Sequence, residues 1–499
     1  MTARRRALAF ALLAALFAPL ASARAAAPKP PNLVIFLADD FGWADVGYHG
    51  SPIETPALDR LAREGVQLDR FYVQPICSPT RSMLMTGRDP MEQGLIYDQI
   101  NPWNPVGIPP GEKLLPEYFR AAGYQTGIIG KWHLGHTQAW QLPNARGFEY
   151  FYGHLHTHVD FYEHQRRGGH DWQRNGKSLD ERGRYLTDLA GEDVSRFIRE
   201  RDKARPFLLY VPWAAPHSPM QAPQALLEHY AKLPEAGFRR VYAAMVDAMD
   251  KQVGRVLATL DTEGIANDTI VLFASDNGGF NGFGGRNEPL RGQKGQTFEG
   301  GIRVVGLLRW PGHLAAGSVS QQVMTAADVL PTLAAAAGVL VESPKPLLGR
   351  NLWPELAAGR AAPRSEDLFF ASEIPVPGTL HLAVRSGDWK LVEIVREGNR
   401  ETKVTQLLFR IDEDPNEQHD LAAANPERVR ELSKRINTWR SRHPLGGLRV
   451  TLVPHPGWLP PRDWAEAVVP AEKLQPTTQR EYELSPELLK AIGERGVAE

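Results

Sequence analysis

Four short apolar runs stand out along the chain, and each leads into chemically capable polar residues. Leu33 to Ala38 runs into Asp39-Asp40, and Gln125 to Ile129 into Gly130-Lys131-Trp132-His133. Phe207 to Val211 leads on to His217, and Thr269 to Ala274 runs into Ser275-Asp276-Asn277-Gly278. Rich in Ile, Val, Leu and Phe and without polar alternation, they read as strands buried on both faces of a parallel sheet. Helical patterns lie between them. One starts at Thr55-Pro56, with Thr as cap and Pro at the first helical position; another covers Pro79 to Met85; a long amphipathic one spans Phe238 to Leu260. Strands alternating with helices predict an α/β domain. Open α/β sheets bind ligands beyond the carboxyl ends of their strands, so the polar clusters are expected to converge in one active site.

The pattern changes near residue 366. Leu380 to Val384 and Trp389 to Ile394 alternate more and flank the turn Ser386-Gly387-Asp388; Gln406 to Ile411 follows, then a helix from Pro426 to about Trp439 with Asn425 as its cap. The expected organisation is a catalytic α/β domain over 30–365, a small antiparallel sheet with a packing helix over 366–445, and an irregular strap over 446–499. At the other end, Arg4-Arg5-Arg6 precedes an apolar run from Ala7 to Leu20 and the small residues Ala21-Ser22-Ala23. This reads as a signal peptide over 1–23, of the general or the twin-arginine kind, and predicts a periplasmic or secreted protein. No later apolar run is long enough to span a membrane.

Composition narrows the function. The 499 residues include 57 basic and 58 acidic side chains, a formal net charge of −1, which argues against a generally basic nucleic-acid binder. There is a single cysteine, Cys77, so no internal disulfide can form. A lone thiol in an exported protein is either buried and inert or chemically employed.

Asp39-Asp40 and Asp276-Asn277 place four hard oxygen-bearing side chains at strand ends, a set suited to Ca²⁺ or Mg²⁺. In Cys77-Ser78-Pro79-Thr80-Arg81, Pro79 can begin a helix, which would put Cys77 just before a helix N-terminus, with Arg81 able to reach back to it. The alternative is a capped helix with a surface Arg.

Cys-x-Pro-x-Arg followed by Met85-Thr86-Gly87-Arg88 resembles the sulfatase signature. Gly130 to Gly135, Ala215-Pro216-His217, Ser275 to Gly279, Arg291 to Lys294, Glu299-Gly300-Gly301 and the stretch Leu408 to Asp412 follow in the family's order. The resemblance spans about residues 31–440. Gln74 to Cys77, Glu112 to Pro116 and Gly284 to Gly292 are most similar to the N-acetylgalactosamine-4-sulfatase (arylsulfatase B) branch, without its disulfide cysteines. The resemblance implies an alkaline-phosphatase-like fold and a Cys77 oxidised to formylglycine by a formylglycine-generating or anaerobic sulfatase-maturing enzyme. It implies a divalent cation, Ca²⁺ or less readily Mg²⁺, held by Asp39, Asp40, Asp276, Asn277 and modified Cys77. Arg81 would support residue 77, Lys131 and Lys294 would bind sulfate oxygens, and His133 would accept a proton from the hydrated aldehyde. His217, with Lys294, would face the leaving oxygen. The implied substrate is a sulfated carbohydrate or aryl sulfate. The rivals are a phosphonate or phosphate ester hydrolase of the same superfamily, and a sulfated-glycan binder with unmodified Cys77.

One stretch departs from the family's pattern. Gly153 to His158 holds His154, His156 and His158, with His164 and His170 beyond. His158 is the nearest match to a substrate-holding position. Alternate histidines on one strand face could instead bind metal. Asp412-x-Asp414-x-Asn416 starts like a calcium loop, but Glu417 and Ala423 occupy its sixth and twelfth positions, so it is read as a turn.

Overall fold

The computed structural model describes residues 29–235, 237–373, 379–397, 402–444 and 458–468. The expected signal peptide, and the strap apart from residues 458–468, lie outside these residues.

Ten strands form the main sheet: β1 (Asn32–Ala38), β2 (Val66–Leu68), β3 (Gln125–Lys131), β4 (Tyr150–His154), β5 (Gln173–Arg174), β6 (Lys177–Ser178), β7 (Phe207–Pro212), β8 (Thr269–Ser275), β9 (Gly306–Arg309) and β10 (Ser318–Ser320). Their order is β10-β2-β9-β8-β1-β7-β3-β4-β5-β6. The middle five, β8-β1-β7-β3-β4, are mutually parallel. The four predicted strands all lie in this block. Along β1 the side chains divide strictly: Val34, Phe36 and Ala38 enter one core, Leu33, Ile35 and Leu37 the other. Both faces are apolar because helices cover both, which is why the runs do not alternate.

Helices α1 (Pro56–Glu64), α4 (Leu186–Glu200) and α5 (Phe238–Thr262) contribute to the first core. Helices α2 (Cys77–Thr86), α3 (Leu115–Ala121) and α6 (Ala326–Ala337) contribute to the second. Two local expectations are corrected. The Thr55 side chain does not cap α1; it accepts a bond from the Gly47 amide at 2.7 Å. The carboxylate of Asp250, from α5, takes the Ala57 and Leu58 amides instead, both at 2.9 Å. Pro79 does not begin α2 either: Ile76 is the cap and Cys77 the first helical residue.

Beyond residue 366, strands β11 (Leu368–Ser372), β12 (Thr379–Ser386), β13 (Trp389–Glu397) and β14 (Thr402–Arg410) form an antiparallel meander. Helix α7 (Pro426–Arg440) packs on it through Val429, Leu432, Ile436 and Trp439. Asn425 makes no side-chain cap; its amide group donates to the Leu421 carbonyl at 2.9 Å.

Candidate active site

The carboxyl ends of the central strands bring the polar clusters together. Asp39 and Asp40 directly follow β1, the latter in the left-handed region at φ 66°. β8 ends beside them, where the Asp276 amide donates to the Ala38 carbonyl at 3.0 Å. The turn after it is held by close backbone approach: the Gly278 amide donates to the Gly301 carbonyl at 3.1 Å. A Cβ at Gly278 would overlap the Gly300 carbonyl oxygen, so the Asp276-Asn277 turn requires glycine next to it.

Six buried charges and an amide interlock here. Lys131, the last residue of β3, places Nζ 2.6 Å from Asp39 Oδ2. Lys294 Nζ lies 2.6 and 2.8 Å from the two Asp40 oxygens. Arg81, fully buried on α2, forks onto Asp276 Oδ2 at 3.0 and 2.8 Å. Asn277 Nδ2 donates to Asp40 Oδ1 at 2.8 Å. Burial would raise the Asp39 carboxyl, but Lys131 foremost, then His217, Arg81 and Lys294, hold it well below the usual carboxylate range. Two oxygens, Asp39 Oδ1 and Asn277 Oδ1, are buried with no hydrogen-bond partner. Orphaned buried acceptors are costly. Facing a cluster of hard oxygen donors, they fit a divalent cation. Ligand atoms of Asp39, Cys77 and Asp276 lie within 4.8 Å of one another, as do those of Asp39, Asp40 and His217.

Cys77 is fully buried in the first turn of α2. Burial pushes its thiol up, so the unmodified side chain is a protonated thiol at neutral pH rather than a thiolate nucleophile. Its thiol donates to Gln99 Oε1 at 3.8 Å, a residue that sequence reasoning missed because it sits in a loop without periodicity. Gln99 neighbours Ile100, whose carbonyl accepts from His133 Nε2 at 3.0 Å. That bond fixes the tautomer and leaves His133 Nδ1, buried and unpartnered, as a proton acceptor. Burial, then Lys131, holds His133 well below the usual range, so the ring is neutral.

Residues 31–339 match the family profile described as Sulfatase. The chain belongs to the sulfatase family. It is 34% identical over 459 residues to arylsulfatase J of Mus musculus, covering 83% of this chain and 76% of that one. It is 34% identical over 453 residues to N-acetylgalactosamine-6-sulfatase of Homo sapiens, covering 82% and 84%. Among solved structures it resembles Ps i-CgsB in complex with k-i-k-neocarrahexaose, at 32% identity and a TM-score of 0.75, covering 83% of this chain and 94% of that one. This sulfatase is therefore a sulfuric ester hydrolase, and the alkaline-phosphatase-like fold read from its sequence is the one observed.

The histidine-rich stretch of this sulfatase does not build a metal site among the described residues. β4 ends at His154, so alternate residues beyond it do not share a strand face. His154 is buried with both ring nitrogens unpartnered. His156 Nδ1 is held by Asp171 at 2.7 Å, with its ring 3.9 Å from that of Trp464. His158 reaches the site, its ring 5.1 Å from that of His217 and stacked on it. His217 in turn puts Nε2 3.7 Å from Asp40 Oδ2. Among the described residues no helix is long and apolar enough to cross a membrane.

Proposed function

We propose that this sulfatase hydrolyses sulfate esters on a carbohydrate through a formylglycine derived from Cys77. The observation that carries this reading is Cys77 in the first turn of α2, held against the Asp39 and Asp276 carboxylates at the strand ends. The carbohydrate class is supported by the relatives, whose names include an N-acetylgalactosamine-6-sulfatase and a complex with a neocarrahexaose.

In this reading Asp39, Asp40, Asp276 and Asn277 hold Ca²⁺, or Mg²⁺ in its place. The metal supplies Lewis-acid polarisation and charge neutralisation, which suit transfer of a sulfuryl group. With residue 77 as a hydrated aldehyde, the site would have a nucleophilic hydroxyl and a second hydroxyl to give up a proton for sulfate release. The chain's own residues do the rest. Arg81 fixes Asp276 and the floor beneath residue 77. Lys131 and Lys294 neutralise the carboxylates and present ammonium groups to sulfate oxygens. His133 Nδ1 takes a proton from residue 77. Lys294 and His217 serve the leaving oxygen, and His158 flanks it on the sugar side. The N-terminal pattern supports export to the periplasm or medium, and a maturation enzyme acting on Cys77 is the implied partner.

The test is peptide mass spectrometry on protein from its native host, with sulfate release measured alongside. Conversion replaces the sulfur, the thiol hydrogen and one Cβ hydrogen of Cys77 by one oxygen in the tryptic peptide Phe71 to Arg81. A hydrazine-trappable aldehyde with sulfate release from a sulfated sugar is expected. An unmodified thiol in active enzyme would overturn the mechanism.

A further inference from the structure

Outside the acid cluster, the least compensated charge beside the site is Arg166. It lies on the hairpin of strands Gln165–Arg166 and Gly169–His170 and is 9% exposed. Its Nη1 donates to His158 Nε2 at 2.8 Å. Its Nε is buried with no partner, and no carboxylate forms an ion pair with it among the described residues. Burial, and Arg167 beside it, outweigh the attraction of the Asp171 carboxylate, which forms no ion pair with it, and push the guanidinium down to about 10, which leaves it charged at neutral pH. A buried cation without a counter-ion is costly, and an anion removes that cost. The bond to His158 uses one of five N–H donors, and the rest of the fork suits a carboxylate or sulfate.

Its surroundings face outward from the reaction centre. His158 touches both Arg166 and His217, so Arg166 sits one imidazole further from the acid cluster. Arg167, exposed and in the left-handed region at φ 51°, lays its guanidinium over Trp103 at 4.8 Å. Trp103 meets Trp458 edge to face at 5.8 Å. Two backbone bonds pin the hairpin to the chain after Trp458: the His170 amide donates to Arg462 at 2.8 Å, and Trp464 donates to His170 at 2.9 Å. The fold thus holds a buried cation, an exposed cation and two indoles in a row leading away from the proposed leaving group.

We propose that Arg166, with Arg167, Trp103 and Trp458, forms a subsite for a second anionic group, a carboxylate or a sulfate, on the sugar next to the one that loses its sulfate. This rests on the glycan-sulfate reading above. Arg166 binds the anion, Arg167 adds long-range attraction, and the indoles offer apolar faces to the sugar.

The wild type, Arg166→Gln and Arg166→Lys are compared on three probes: 4-nitrophenyl sulfate, a sulfated disaccharide with a uronate carboxylate on the neighbouring sugar, and one with a second sulfate there instead. Arg166→Gln is expected to lose about tenfold or more in kcat/KM on a disaccharide beyond its loss on the aryl sulfate, chiefly through KM. Arg166→Lys recovers much of that difference, and the disaccharide affected tells carboxylate from sulfate. Equal losses on all three probes, or none, would overturn the subsite; equal losses would leave Arg166 only a support for His158. Failure of the reaction itself looks different, because the wild type would then cleave none of the three. Calorimetric titration of the uncleaved disaccharides decides the subsite in that case: tenfold weaker binding to Arg166→Gln upholds it, and unchanged affinity overturns it.

Discussion

His217 has one ring nitrogen committed and one to offer. Nδ1 lies 2.7 Å from the Ser218 carbonyl oxygen, so it carries the proton of the neutral ring and Nε2 carries a lone pair. Burial, with Lys294 beside it, pushes the imidazole down to about 4. Asp40 has the opposite effect on Lys294, outweighing burial and holding the ammonium above its ordinary range. In the proposed reaction the proton that a departing alkoxide would need is therefore on Lys294 at neutral pH, not on His217. Lys294→Ala should cost about 10²–10⁴-fold in kcat on a sugar sulfate. It should cost clearly less on 4-nitrophenyl sulfate, whose phenolate leaves without a proton. Parallel steady-state measurements check this, and equal losses on both substrates would sink the assignment. The sequence showed Lys294 and His217 as members of ordered motifs, but not which nitrogen holds a proton. That depends on the Ser218 carbonyl and on Asp40, whose positions follow from the folded loops.

Among the elements, β13 of the small sheet does more than close the meander. Its Lys390, fully buried, lies 2.8 Å from both Glu299 Oε1 and Glu417 Oε1. Glu417 also accepts the Glu299 amide at 2.7 Å. Glu299 opens the turn whose Gly300 and Gly301 press on Gly278, so the small sheet supports the Asp276-Asn277 turn through this cluster. Two carboxylates share one ammonium. Burial, together with repulsion from Glu299, outweighs the attraction of Lys390 and pushes Glu417 up to about 7. The folded state then holds a proton that the unfolded state gives up near pH 4.5, and stability falls as pH rises from about 5 to 7. Glu417→Gln removes that ionisation. Relative to the wild type it should therefore gain roughly 1–3 kcal/mol between pH 5 and pH 8. Urea unfolding at the two pH values tests this; parallel changes would refute it. The strand runs were legible because burial on both faces leaves an unbroken apolar string. This cluster was not, because a lysine in an alternating strand reads as a solvent-facing residue until its partners arrive from elsewhere. The cap of α1 escaped for the same kind of reason: Asp250 is 193 residues from Ala57.

At the scale of the whole molecule, the acid cluster ties distant parts of the chain, with Lys294 lying 254 positions after Asp40. A cation bound only by the folded arrangement stabilises it by mass action, about 2.7 kcal/mol at a hundredfold excess over its dissociation constant. Chelator should therefore lower the melting temperature by several degrees and added Ca²⁺ restore it. Asp39→Asn should blunt both responses, and scanning calorimetry measures them. An unchanged melting temperature in wild-type protein would argue against a resident metal. The same connectivity sets a clock. Cys77 ends up fully buried, yet the walls that bury it include Asp276 and Lys294, which leave the ribosome roughly 200 residues later. At about 5–20 residues per second, the thiol spends roughly 10 to 40 s on an unfinished chain. In the proposed function, a maturation enzyme would have that interval, extended by any delay in folding during export, before docking of the last strand-end turn shuts the residue away.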